Sequence, residues 1–108
     1  MTDESQLTIP PSFIALYLEP GRTKPNAPRE VIAQRYEFCE DLATILTDRA
    51  SEIKFDLGVT ESDVLERIHR GLEVEGSGLD AKEARWVVTR LAELLGWAAL
   101  DVGPSPGR

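Results

Sequence analysis

Apolar positions recur through the middle of the chain at the spacing of a helix face. Ile32, Tyr36, Cys39, Ala43, Leu46, Ala50, Ile53 and Leu57 follow one another at alternating intervals of four and three residues. That is an unbroken heptad stripe. Val31, Phe38, Leu42 and Ile45 widen it to about half the helix circumference at roughly 100° per residue. The pattern predicts one long helix from about Ala27 to Leu57, roughly 45 Å at about 1.5 Å per residue. Asn26 is placed to cap its start, Pro28 suits its first turn, and Gly58 lies just past its end.

Two shorter helices follow. Thr60-Glu61-Ser62-Asp63 reads as a capping box with Asp in the usual Glu position, and Val59 and Val64 are spaced as a hydrophobic staple. Val64, Leu65, Ile68 and Leu72 form its buried face, and Gly76-Ser77-Gly78 ends the segment. Asp80 and Glu83 make a second box. Behind it Ala84, Val88, Leu91, Leu95 and Ala98 repeat at four and three, with Gly96 a candidate stop. Near the N-terminus, Pro10-Pro11-Ser12 leads into Phe13, Ile14, Leu16 and Tyr17. This run suits a short helix or a short strand, and helix is preferred because the chain offers no strand to pair with. The expected fold is all-α: a bundle of one long and two shorter antiparallel helices plus a short N-terminal helix. A single domain is expected over residues 10–100, with flexible tails at 1–9 and 101–108.

The short links at Gly58 and Gly76 fold the third and fourth segments back along the C-terminal half of the long helix. Leu46, Ala50, Ile53 and Leu57 are then covered, while Ile32, Tyr36 and Cys39 need another shield. The segment carrying Phe13, Leu16 and Tyr17 is one candidate, and a second copy of the chain is the other. A homodimer is therefore expected.

Charge narrows the function. The 108 residues carry 12 Lys and Arg against 19 Asp and Glu, a net charge of −7, which argues against broad nucleic-acid binding. Arg22, Lys24 and Arg29 form the one locally basic stretch. No apolar run is long enough for a membrane span and no leader is visible, so a cytoplasmic protein is expected. The single Cys39 excludes an internal disulfide or a multi-cysteine zinc site.

Few constellations suggest chemistry. Glu66-x-x-His69 has the spacing of carboxylate-bridged di-iron helical proteins, with Glu37 or Glu40 able to supply a bridging carboxylate. A dimeric oxidoreductase holding iron or another divalent metal on Glu37, Glu66 and His69 is thus the alternative to a protein without cofactor. Cys39 sits in the apolar stripe and reads as a small core residue. Gly21-Arg22-Thr23-Lys24 lacks the second glycine and the Lys-Ser/Thr ending of a phosphate loop. Arg35 and Arg49 fall inside the apolar arc and are expected to lie at its edge or to pair with acids on a neighbour. Trp86 and Trp97 both point about 130° from the Leu91 stripe if the last helix runs on, sharing a face with Arg90 and Glu93. Packing by the N-terminal segment explains this arrangement, and so does an interaction face, since Trp and Arg are enriched at hot spots. The leading expectation is a non-catalytic protein-interaction module, an adaptor or regulator. Its contacts are Trp86, Arg90 and Trp97, with Arg22, Lys24 and Arg29 at the rim.

The strings IPPSFIALYLEPGRTKPNAPREVIAQRYEFCEDLA, LGVTESDVLERIHRGL and EARWVVTRLAELLGW resemble a family of short bacterial proteins often labelled "ATPase with chaperone activity". The resemblance spans roughly Ile9 to Trp97. It implies a small helical partner of a chaperone or protease component, and no catalytic residue is carried over from it.

Overall fold

The computed structural model describes residues 8–98. It contains four helices and, among the described residues, no strand. Helix α1 (Pro11–Ile14) runs on into a single tighter turn (Ala15–Tyr17); α2 spans Arg29–Leu57, α3 Glu61–Leu72 and α4 Ala81–Leu95. The fold is thus the expected all-α bundle, with α3 and α4 packed on the long α2. The largest dimension is 46 Å, close to the ~44 Å that 29 residues of helix require. One element therefore sets the length of the molecule.

The helix ends follow local chemistry, with two departures from expectation. Pro28, not Asn26, occupies the N-cap of α2, and no side chain caps that end. Asn26 instead closes the preceding loop: its backbone N–H donates to the Tyr17 carbonyl at 2.7 Å, and its side-chain amide lies 3.4 Å from Glu19 Oε2. At the other end Gly58 takes φ +64°, and its N–H donates to the Lys54 carbonyl. Thr60 caps α3 by accepting from the Asp63 N–H at 3.0 Å. The reciprocal half of that box does not form. Asp63, one methylene shorter than Glu, turns its carboxylate to Arg67 at 3.4 Å. In α4 the box is complete: the Glu83 N–H donates to Asp80 Oδ1 at 2.8 Å and the Asp80 N–H to Glu83 Oε1 at 3.2 Å. Gly96, at φ +75°, ends α4 before Trp97, whose N–H returns to the Ala92 carbonyl.

Two apolar clusters make up the core. The first joins Ile9, Phe13, Ile32, Cys39, Ala43, Trp86 and Val87. The second joins Ala50, Val64, Leu65, Ile68, Val88, Leu91 and Ala92. Half-buried Leu46 and Leu72 touch both, so the two are continuous. Ile9, read above as the end of a flexible tail, is buried in the first cluster; the remaining tail positions lie outside the described residues, Thr8 excepted.

Coverage of α2 follows expectation at Ala50, Leu46 and Ile53, departs from it at Leu57, and at Ile32 and Cys39 comes from the first of the two candidate shields, the N-terminal segment. Ile32 and Cys39 are buried, whereas Leu57 keeps 54% of its surface exposed. The N-terminal segment supplies the difference. Phe13 has no exposed surface and meets Trp86 edge-on at 5.0 Å and Tyr36 at 5.6 Å between ring centroids. Leu57 stands near the corner where the chain turns into α3 and lines an open groove with Leu46 and Ile53 of α2 and Ile68 and Leu72 of α3. Of the widened arc only Leu42 packs on the core: Val31, Phe38 and Ile45, seven residues apart, form an exposed row along α2.

Truncating Phe13 removes the ring that fills the first cluster. Phe13→Ala is expected to cost about 3–5 kcal/mol, read from urea unfolding followed by tryptophan fluorescence. Phe55→Ala, at a largely exposed position, is expected to stay within about 0.5 kcal/mol.

Candidate functional site

Two polar constellations and one groove occupy the end of the bundle where α1 meets α4. The first constellation is a clamp. Arg35 Nε and Nη2 donate to the two carboxylate oxygens of Glu83 at 2.8 and 2.7 Å, and Nη2 also donates to the Gly78 carbonyl at 2.6 Å. Tyr17 OH donates to Glu83 Oε2 at 3.4 Å. The acid that Arg35 was expected to find on a neighbouring helix is therefore Glu83 on α4. Among the described residues Arg49 pairs with Glu52 on its own helix, at 3.7 Å and exposed.

Glu83 is 4% exposed. Burial pushes its carboxyl group up, but the Arg35 guanidinium, the Asp80 N–H and Tyr17 outweigh burial and hold it below the usual carboxylate range. Burial pushes the neighbouring Cys39 thiol up to about 12, with the Glu83 charge adding to the effect. A buried thiol held in its protonated form is a poor nucleophile. Glu83 is fully committed by these bonds, so the clamp is structural.

The second constellation carries Arg90. Its Nε and Nη2 approach both oxygens of Glu40 at 2.9–3.2 Å, and Nη1 reaches Glu93 at 3.0 Å. Two carboxylates thus match one guanidinium.

Beside the Arg90 network lies a groove of about 530 Å³, within the size range of ligand sites, about 300–1,000 Å³. Pro10, Ser12 and Leu16 form one wall, Tyr36 and Trp86 the floor, and the Lys82, Arg85, Thr89, Arg90 and Glu93 stripe of α4 the other wall. The periodicity of α4 explains that wall, because positions 82, 85, 86, 89, 90 and 93 recur on one helix face. Trp86 is 9% exposed, and its indole N–H donates to Ser12 Oγ at 3.0 Å. Burial, then the Glu40 carboxylate, pushes the Tyr36 phenol up, so it stays a neutral hydroxyl at pH 7. Lys82 and Arg85 are exposed and form no ion pair with any described residue.

The expected contact residues are divided by the structure. Trp86 and Arg90 line the groove together. Trp97 does not share their face: it follows the end of α4 and packs on the second cluster. Arg22 lies in the loop before α2, while Lys24 and Arg29 border a separate cavity of about 270 Å³ with Ile9, Ile14 and Ile32. Ser12, Leu16, Lys82 and Arg85 were not singled out as site residues. Pattern places Trp86 off the α4 stripe, and the expected packing of the N-terminal segment holds for Trp86, which meets Phe13 and Ser12; what pattern does not show is the groove left open beside that contact.

The residues of the metal alternative are not assembled within the chain. Glu37 is exposed on α2, and Glu66 pairs with Arg70 at 3.6 Å. His69 Nε2 lies 3.5 Å from Glu73 Oε2 without hydrogen-bond geometry. Glu40, the other bridging candidate, is held by Arg90. No group of three or more His, Cys, Asp or Glu placed to hold a metal occurs among the described residues. No described helix is long and apolar enough to cross a membrane.

The clamp predicts a pH signature. Glu83, held low in the folded state, contributes stability above the ordinary carboxylate range, and this is lost as pH falls through its folded value. Arg35→Met leaves that buried carboxylate without its main partner and is expected to cost about 3 kcal/mol at pH 7. The gap between wild type and variant should close toward pH 3, where the carboxyl group of the variant is neutral. Urea unfolding at the two pH values checks this; a gap that does not narrow contradicts the assignment. Comparisons with known protein families, with curated proteins and with solved structures found no match for this chain.

Proposed function

We propose that the protein is a non-catalytic interaction module, of the adaptor or regulator kind, that docks a segment of a partner protein in the groove between the N-terminal segment and α4. One observation carries the reading. The clamp and the Arg90 network pair their cations with carboxylates, whereas the groove leaves an apolar floor open beside two cations that no described residue pairs. A surface with aromatic side chains at its centre and polar groups around them is the usual anatomy of a docking site.

A second reading rests on the outer row of α2. Val31, Phe38 and Ile45 are 42%, 41% and 69% exposed, and an antiparallel pairing of two copies centred on Phe38 sets Val31 of each against Ile45 of the other. Arg35, which lies over the Phe38 ring at 5.0 Å, then stands level with Asp41 of the other copy. This supports self-association through α2, in place of the uncovered Ile32–Cys39 face first considered.

Both readings are testable. Immobilised protein should enrich sequences from a random displayed-peptide library, and Thr89→Trp, which fills the groove, should abolish the enrichment. Ile45→Trp on the outer face should leave it intact. Circular dichroism confirms that each variant is folded. Equal enrichment by wild type and Thr89→Trp removes the groove as the site. For self-association, sedimentation should show dimers that Ile45→Glu dissociates, and a wild-type monomer at all concentrations rejects that reading.

A further inference from the structure

We infer that the groove selects acidic apolar peptides: segments with an aromatic or aliphatic side chain beside a run of two or more carboxylates. The inference rests on the docking reading above and adds the partner's chemistry.

The argument starts from the distribution of charge along α4. The chain as a whole is acidic, at −7, so a basic spot on its surface is a local exception. Three cations stand on the groove wall: Lys82, Arg85 and Arg90. Arg90 is already matched by Glu40 and Glu93. Lys82 and Arg85 are not matched by any described residue, and they stand side by side near the start of α4. The groove is thus cationic at the Lys82–Arg85 end and net acidic at the Arg90–Glu93 end, where two carboxylates face one guanidinium. The start of a helix adds positive potential of the same sign, softened here by the Asp80 cap.

The middle of the groove is apolar. Pro10, Leu16, Tyr36 and Trp86 present hydrocarbon and ring surface, suited to one or two buried side chains of a ligand. A basic segment would meet Lys82 and Arg85 with like charge. A purely apolar one would leave both cations unused. An acidic apolar segment satisfies both parts at once, and it can lie in only one direction, its carboxylates toward Lys82 and Arg85. Charge complementarity of this kind sets specificity and association rate. The net charge of −7 opposes the same peptide over most of the remaining surface, the stretch carrying Arg22, Lys24 and Arg29 excepted.

The test uses the full chain labelled with 15N and two probes, acetyl-DDEFLG-amide and its counterpart acetyl-KKKFLG-amide. The chain has two tryptophans. The Trp86 indole signal reports on the groove, and the Trp97 signal, from the second cluster, serves as an internal control. The acidic peptide should shift Trp86 and Thr89 in a saturable way and leave Trp97 in place. The double variant Lys82→Glu, Arg85→Glu changes only exposed positions and should weaken the affinity by about tenfold or more. Raising the salt from about 50 to 500 mM should weaken wild-type binding several-fold and barely affect the variant.

Peptides enriched by display that depend on the groove but carry no acidic bias would overturn this inference and leave the docking reading standing. Equal binding of the lysine peptide would do the same. Decanoate alone saturating the same signals more tightly than the acidic peptide would assign the groove to a small amphiphile and overturn the inference. If display selects no groove-dependent peptide at all, the docking reading itself fails.

Discussion

A long helix packed against a short one leaves part of its apolar face without a partner. Here α2 is about 44 Å long and α4, with 15 residues, about 22 Å. The α3–α4 hairpin cannot cover the whole stripe from Ile32 to Leu57. The chain closes the deficit with Phe13, which has no exposed surface and sits among Tyr17, Tyr36 and Trp86 at centroid distances of 5.0–5.9 Å. Burying such a ring contributes roughly 1.5–3 kcal/mol by area, a large share of the stability of a small domain. The groove exists because of the same contact. Its wall of Pro10, Ser12 and Leu16 belongs to the segment that Phe13 anchors, so the surface is a by-product of completing the core.

Glu83 shows how closely helix start and tertiary packing are joined. One carboxylate accepts from the Asp80 N–H, closing the capping box, and from Arg35 on α2, fixing the angle at which α4 leaves its turn. A charge at 4% exposure would be costly if unpaired. Paired on each side, it ties the start of α4 to α2 and, through Tyr17, to the N-terminal segment. The positions of Lys82 and Arg85, one residue before Glu83 and two after it, are set by this anchor.

The parts of the fold that depend on periodicity and capping were legible in the sequence. The four-three spacing from Ile32 gave the long helix, and Thr60, Asp80, Gly58 and Gly96 gave three helix boundaries and a stop. The parts that depend on which surfaces meet were legible only in part: the N-terminal segment stood as one of two candidate covers for Ile32, Tyr36 and Cys39. Pattern places Val31, Phe38 and Ile45 on the arc as readily as Ile32 and Cys39, because hydrophobicity does not say where a partner helix ends. Asn26 was a plausible cap by residue type, but Pro28 fixes its own backbone and takes that position. Arg35 was visible as a cation in an apolar arc, yet its partner Glu83 lies 48 residues away and already had a local explanation as a box residue. The groove was the least legible feature. Trp86 and Arg90 could be marked as off the α4 stripe, while the opposite wall comes from residues some 70 positions earlier.

The contrast between satisfied and unsatisfied charge is what separates scaffold from surface in this molecule. Arg35 and Arg90 each face carboxylates within hydrogen-bond distance, and their energy is already part of the folded state. Such groups have little left to offer a ligand, since a new partner must first displace an existing one. Lys82 and Arg85 have no carboxylate partner among the described residues, and they stand beside aromatic surface that the core did not need to hide completely. Trp86 joins the two roles. One part of the indole packs on Phe13, its N–H is held by Ser12, and its remaining edge forms the groove floor. A side chain fixed on three sides loses little conformational freedom on meeting a ligand. The floor is therefore preorganised by the same packing that stabilises the fold, while the charge that discriminates among ligands stays on the rim.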